Sequence, residues 1–223
     1  EHITTEGGLF PTDFLQRLSQ SDAEIEGLKP DDYHLVGGER LNEAISSSWN
    51  RLIGAWAAFE DGREKLPDSD RGTTLTREKW LLPLFQELGY GRLQTTRAFE
   101  IDERRYPVSH IWQANPIHLI SVRGDLDTRS EDIVGARKLT PHAMVQEFLN
   151  RSEAHLWAFV SNGERLRVLR DNVSLTRQAY LEFDLRAIMQ AEAYSDFRIL
   201  WIMAHQSRVE ASQPELCWLE KWA

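Results

Sequence analysis

GRLQTTRAFEIDERRYPVSHIWQANPIHLISVRGDLD, residues 91–127, is the stretch whose reading decides the fold, because here the apolar period switches to two. Leu93, Thr95, Arg97 and Phe99 alternate, and Ile101-Asp-Glu-Arg-Arg reads as the turn of a hairpin. Tyr106, Val108, His110 and Trp112 continue the alternation. Asn115-Pro116 reads as a break, and Ile117 to Val122 as a short apolar run of the kind buried central strands show. Asp125 to Lys138 is a polar excursion. Thr140-Pro141 then starts a helix whose buried face is Met144, Val145, Phe148 and Leu149. Leu156 to Val160, Asn162-Gly163 and Leu166 to Leu169 form the clearest hairpin. Strand, strand, strand, helix and hairpin predict an α/β (α+β) chain with a mixed central sheet flanked by helices.

Outward from this core the chain reads as helix. Residues 1–38 carry Phe10, Phe14 and Leu18 at helical spacing behind Pro11, followed by a loop, GLKPDDYHLVGG. From Glu39 to Phe59, seven apolar positions from Leu41 to Phe59 follow the 3.6 period of an amphipathic helix. Residues 60–74 are charged and turn-rich. TREKWLLPLFQEL places Trp80, Leu81, Leu84, Phe85 and Leu88 on one side, with Thr74 or Thr76 as cap, Pro83 as a kink or start, and Gly89 as the stop. Tyr180 to Glu210 reads as helix again. The predicted organisation is a helical extension over 1–74, an α/β core over 75–180 and a helical segment over 181–223.

The chain has 223 residues and a net charge of −9, which argues against indiscriminate nucleic-acid binding. The charge is uneven. Residues 1–90 hold 9 basic and 17 acidic residues, residues 91–180 hold 13 and 11, and residues 181–223 hold 4 and 7. The core is the one section that is not acidic, and twelve of its thirteen basic residues are arginine, whose planar fork suits phosphates and base edges. No run of about 18 apolar residues predicts a membrane span. One cysteine, Cys217, excludes an internal disulfide and a multi-cysteine zinc site, so a cytoplasmic setting and a packing role for the thiol are expected. The span Glu1 to Ala223 reads as a segment of something longer.

Three constellations are candidates for chemistry. Asp125 and Asp127, with Glu131-Asp132 behind them, follow a buried strand and are the carboxylates available to hold Mg²⁺; a solvated acidic loop is the bland alternative. His110, His118, His142 and His155 have no metal-ligand spacing and are expected to be satisfied by backbone or solvent. Arg97, Arg104, Arg105, Arg123, Arg165, Arg167 and Arg170 fall on or beside strands. Gathered at one sheet edge they would track phosphates, Arg165 and Arg167 sharing a face by alternation; surface ion pairing is the competing expectation.

Leu75 to Leu169 resembles the N-terminal PD-(D/E)XK nuclease-like domain of large restriction–modification proteins. Those are similar to type IIG enzymes and to phage-defence (DISARM-type) methylases, in which an adenine-N6 methylase follows. The resemblance is carried by LTREKWLLPLFQELGY, ERRYPVSHIWQ, PIHLISVRG, TPHAMVQEFLNRS and LWAFVSNGERLRVLRD, with SLTRQAYLEFDL and HQSR beyond. It implies a DNA-contacting or regulatory domain with double-stranded DNA, a downstream methylase and defence-system subunits as partners, and no membrane. The family's metal-binding aspartate falls on Ser109 and its Glu-x-Lys pair on Ser121 and Arg123, while Gln146 matches the glutamine of the following helix. Cleavage residues are therefore expected to be lost. Asp125 and Asp127 are the substitutes an active Mg²⁺-dependent endonuclease would need. The methylase motifs N-P-P-Y and D-P-P-Y do not occur, so S-adenosylmethionine belongs to a region outside these residues. A third expectation is a protein-interaction module with exposed Trp-rich faces at 41–59 and 197–222.

Overall fold

A seven-stranded mixed sheet organises the chain, described here from a computed structural model over residues 2–172 and 178–223. Its strands are β1 (Ile3–Glu6), β2 (Gln94–Thr95), β5 (His110–Trp112), β6 (Asn115–Leu119), β7 (Trp157–Ser161), β8 (Arg165–Arg170) and β9 (Tyr180–Asp184). They lie in the order β1-β9-β8-β7-β6-β5-β2, and all pairs are antiparallel except β6 with β7. A parallel pair needs a crossover, and helix α4 (Pro141–Arg151) supplies it. β3 (Phe99–Ile101) and β4 (Arg104–Tyr106) form a separate hairpin, turning at Asp102 and Glu103, both in the left-handed region. SLTR, at the head of SLTRQAYLEFDL, falls outside the described residues.

Alternation along the strands sorts the sheet into two apolar faces. Phe159, Leu166, Val168, Leu181 and Phe183 face the helical layer of α2 (Leu41–Glu64), α3 (73–90) and α6 (Tyr194–Ala204). Ala158, Val160 and Leu169 face Met144, Val145, Phe148 and Leu149 of α4, together with Ile120, Leu126 and Ile133. Apart from the half-buried Leu41 and the exposed Ile53 of α2, the core positions expected for these helices are buried. So are Trp49, Trp56, Phe59, Trp201 and Trp222, which corrects the expectation of exposed Trp-rich docking faces: that stripe packs on the sheet and on itself. Cys217 is buried in the same core.

Local chemistry explains several element ends. Thr140 caps α4 by accepting the Ala143 N–H, with Pro141 at the first helical position. Asn162 accepts the N–H groups of Glu164 and Arg165, and Gly163 takes the positive φ of 87° that closes the β7–β8 turn. α3 starts behind Gly72, so Thr76 lies inside it. Its hydroxyl donates to the Gly72 carbonyl and accepts the Val122 N–H, tying the helix to the end of β6. Pro83 neither starts nor ends α3. The helix continues through it, flanked by wider, π-type turns over 76–81 and 86–90, and ends where Gly89 adopts φ 87°.

Four expectations are corrected. Asn115-Pro116 does not break the chain: both residues belong to β6, whose hairpin turns at Gln113 with φ 50°. Pro116 is tolerated there while β6 pairs on both sides. Leu93 to Phe99 is not one strand, since β2 joins the main sheet and β3 the small hairpin. Ile3–Glu6, unread in the sequence, is an edge strand on β9. Tyr180–Asp184 is strand rather than helix, and α5 (Leu185–Gln190) begins only where Asp184 accepts the Ala187 N–H. The sheet and its apolar layer thus join residues from both ends of the chain to the middle.

Candidate nucleic-acid interface

The residues at the resembling metal positions are committed to structure. The Ser109 hydroxyl accepts the Leu119 N–H at 2.8 Å and lies 2.7 Å from His110 Nδ1, stitching β5 to β6. Ser121 donates to the Arg71 carbonyl and accepts the Arg123 N–H. The Arg123 guanidinium donates to the carbonyls of Leu66, Pro67 and Asp68, closing the loop behind α2. Gln146 donates to Asn150 Oδ1 and the Arg170 carbonyl, while its side-chain Oε1 is buried and has no partner among the described residues.

The carboxylates are committed as well. Asp125 accepts the Asp127 N–H and the Thr128 hydroxyl, forming an exposed Asx-type turn. Asp127 binds Arg167 through both carboxylate oxygens at 2.6 and 2.7 Å, and the Arg167 hydrogen bonds hold its pKa below the usual carboxylate range. The two aspartates expected as metal ligands are therefore a turn former and the counter-ion of an arginine. Among the described residues, no group of three or more His, Cys, Asp or Glu side chains is placed to hold a metal ion.

The arginines divide into those used internally and those left free. Arg165 and Arg167 do share a face of β8, but β8 is an interior strand, and both bind Glu182. Arg167 is buried, donates also to His142 Nδ1, and stacks on Tyr180. Arg170 faces the other layer and holds Glu220 of α7 (Trp218–Trp222), which also accepts the Trp157 indole N–H. Arg104 pairs with Glu147. The predicted phosphate groove on β8 therefore does not form; those guanidinium groups are spent on carboxylates.

Arg97 and Arg105 behave differently. Both are exposed, and among the described residues neither guanidinium has an ion-pair or hydrogen-bond partner. They line a cleft of about 560 Å³ with Arg77 of α3, Glu100, Ser109 and His118. Arg77 donates twice to the Leu119 carbonyl at 3.1 and 2.7 Å, has no carboxylate partner among the described residues, and is half-buried, so desolvation lowers its pKa. Burial and then the Arg77 charge hold His110 at a pKa of about 4. His118 is likewise held at about 4, chiefly by burial; it accepts the Ser109 N–H at Nδ1 and its Nε2 faces the Gly135 carbonyl at 3.1 Å, so it is neutral with its ring locked. A second cavity of about 360 Å³ shares Arg105, Pro107 and Val134 with the first and adds Arg137 and Lys138.

The joined cleft thus carries five cationic side chains and one carboxylate, Glu100, in a chain whose net charge is −9. Among the described residues none of the five forms an ion pair, so the cleft concentrates positive charge. A larger hollow of about 730 Å³ lies beside Trp218, but its charges are mixed and its Arg198 is bound to the Leu18 carbonyl, Ser21 and Asn42. No family model matches this chain, and no curated protein or solved structure matches it.

Sequence reading selected Arg97 and Arg105 but missed Arg77, Arg137 and Lys138. Arg77 left one signal: a cation near the start of a helix opposes the helix dipole and needs another reason to be there. Arg137-Lys138 was visible only as the end of a polar excursion, because the loop that folds them onto the cleft has no period.

Proposed function

We propose that this chain is a DNA-contacting module built on a PD-(D/E)XK nuclease-like sheet whose cleavage residues have been replaced. The observation that carries the reading is the five-cation cleft with Ser109 on its wall, where the resemblance expects a metal-binding aspartate. A nuclease needs carboxylates there to gather Mg²⁺ against the phosphate; a reader needs only cations that neutralise it. Arg97 and Arg105 are free to do so, and Arg77 adds a half-buried charge that an incoming phosphate would compensate. The order β5–β6, helix α4, then β7 parallel to β6 and antiparallel to β8 supports the nuclease-like part of the reading. On the resemblance, such a module precedes an adenine-N6 methylase in a restriction–modification or phage-defence protein, and S-adenosylmethionine belongs to that methylase. No helix of the described residues is long and apolar enough to cross a membrane.

The test is fluorescence anisotropy with a DNA duplex at low ionic strength. Arg97→Glu/Arg105→Glu is expected to weaken binding at least tenfold and to reduce the slope of log affinity on log salt by about two, roughly 0.9 for each lost phosphate contact. Absence of binding at low salt, or binding indifferent to the double substitution, would refute the proposal. Cleavage with Mg²⁺ or Mn²⁺ that Asp125→Ala abolishes would instead restore the endonuclease.

A further inference from the structure

The two lobes of the cleft differ in character, and the difference is chemical. The lobe containing Arg77, Arg97 and Ser109 mixes charged and hydroxyl side chains with Ala98 and Val108, and is the less apolar of the two. The other is walled by Pro107, Val134, Leu139 and Met144, floored by Gly135, and rimmed by Arg105, Arg137 and Lys138, with no carboxylate. Val134 borders both lobes and is 57 % exposed, one of few large apolar side chains left to solvent among the described residues. Its position is fixed from below. Gly135 has φ +86°, its carbonyl faces His118 Nε2, and a Cβ there would lie 2.4 Å from the His118 ring. The loop therefore lies against His118 as closely as backbone can, holding Val134 up between the lobes.

An apolar slot rimmed only by cations, next to a less apolar cationic pocket, selects a ligand with a flat, weakly polar part joined to an anion. We propose that the apolar lobe accepts an unpaired nucleobase of the strand whose phosphate sits among Arg77, Arg97 and Arg105. Binding enzymes and readers hold such bases by stacking them between apolar side chains. Exposed apolar tips serve as wedges at a base step, the part Val134 would play. This inference rests on the DNA-contacting reading and adds what form of DNA it takes. A fully paired duplex must first unstack the base, whereas a bulge or a single strand presents it without that cost.

Anisotropy with the 223-residue chain would compare four oligonucleotides of equal length: a paired duplex, a duplex with a central one-nucleotide bulge, a single strand, and an abasic single strand. The bulged duplex and the single strand are expected to bind about tenfold tighter than the paired duplex, the effect of roughly one stacked base. The abasic strand should lose that advantage. Val134→Ser, at an exposed position, should abolish the difference between the base-bearing and abasic strands, and Arg97→Glu/Arg105→Glu should weaken all four probes alike. Equal binding of the abasic and base-bearing strands would overturn the inference and leave the phosphate site standing. Failure of every probe to bind at low salt would remove both.

Discussion

Replacing Arg167 with methionine tests whether the aspartate pair near the sheet is structural. The Arg167 side chain is 3 % exposed and binds Glu182, itself 12 % exposed, at 2.6 Å, while Asp127 is 49 % exposed. Burial alone would lower the arginine's pKa, but its hydrogen bonds to Asp127 and Glu182 outweigh that and hold it above its ordinary value. Methionine matches the stem and removes the charge, so Glu182 keeps only the half-exposed Arg165 at 3.4 Å and His142 Nδ1 loses its donor. Removing one partner of a buried pair costs about 3–5 kcal/mol. Asp127→Asn removes only the half-exposed partner, where solvent already screens the pair, and should cost about 1 kcal/mol. Arg167→Met/Glu182→Met should recover much of the first loss, since an apolar pair replaces the buried carboxylate. Urea unfolding midpoints at constant m-value measure all three. An Arg167→Met cost within 1 kcal/mol of zero, or one equalled by Asp127→Asn, would refute the assignment of Asp127 as counter-ion to a buried cation.

Acid should destabilise the fold between about pH 6.5 and pH 4. His110, His118 and His142 are held at about 4 and His205 at about 3, each first by burial. Because these folded values are depressed, the unfolded chain binds more protons in that window, and the stability present above pH 6.5 is lost as pH falls. The urea midpoint against pH checks this; a flat profile from 6.5 to 4.5 would contradict the buried neutral imidazoles. Gly135→Ala should lose more than about 1 kcal/mol, from the left-handed backbone and the His118 clash, and DNA binding should fall with it. Thr140→Ala should cost about 1 kcal/mol in thermal unfolding by removing the α4 cap.

Much of the architecture was legible because its signals are local. Thr140-Pro141 and Asn162-Gly163 each fix a neighbouring element with their own chemistry, and the structure follows them, whereas the period of two around Tyr106 is split between two sheets. What failed was decided at a distance. Tyr180–Asp184 is apolar enough for helix or strand, and it is a strand because β8 offers it a ladder on one side and β1 on the other. Pro116 reads as a breaker in sequence, yet the turn at Gln113 places it within β6. Exposure of the tryptophans was misjudged for the same reason, since only the sheet face they cover explains them.

The site was less legible, because charge counts do not reveal who is already paired. Twelve core arginines looked alike along the chain. Folding spends Arg167 on Asp127 and Glu182, Arg170 on Glu220, and Arg123 on three carbonyls, and each of those partners lies at least 15 residues away. Arg97, just ahead of β3, and Arg105, on β4, remain because among the described residues neither forms an ion pair, although Glu100 lines the same cleft. The expected groove along β8 and the observed cleft beside Ser109 thus answer to one rule. An arginine is available to a phosphate only where the fold has given it no carboxylate. Among the described residues that condition is met at Arg97 and Arg105, which share their cleft with Ser109 and with the carbonyl-bound Arg77.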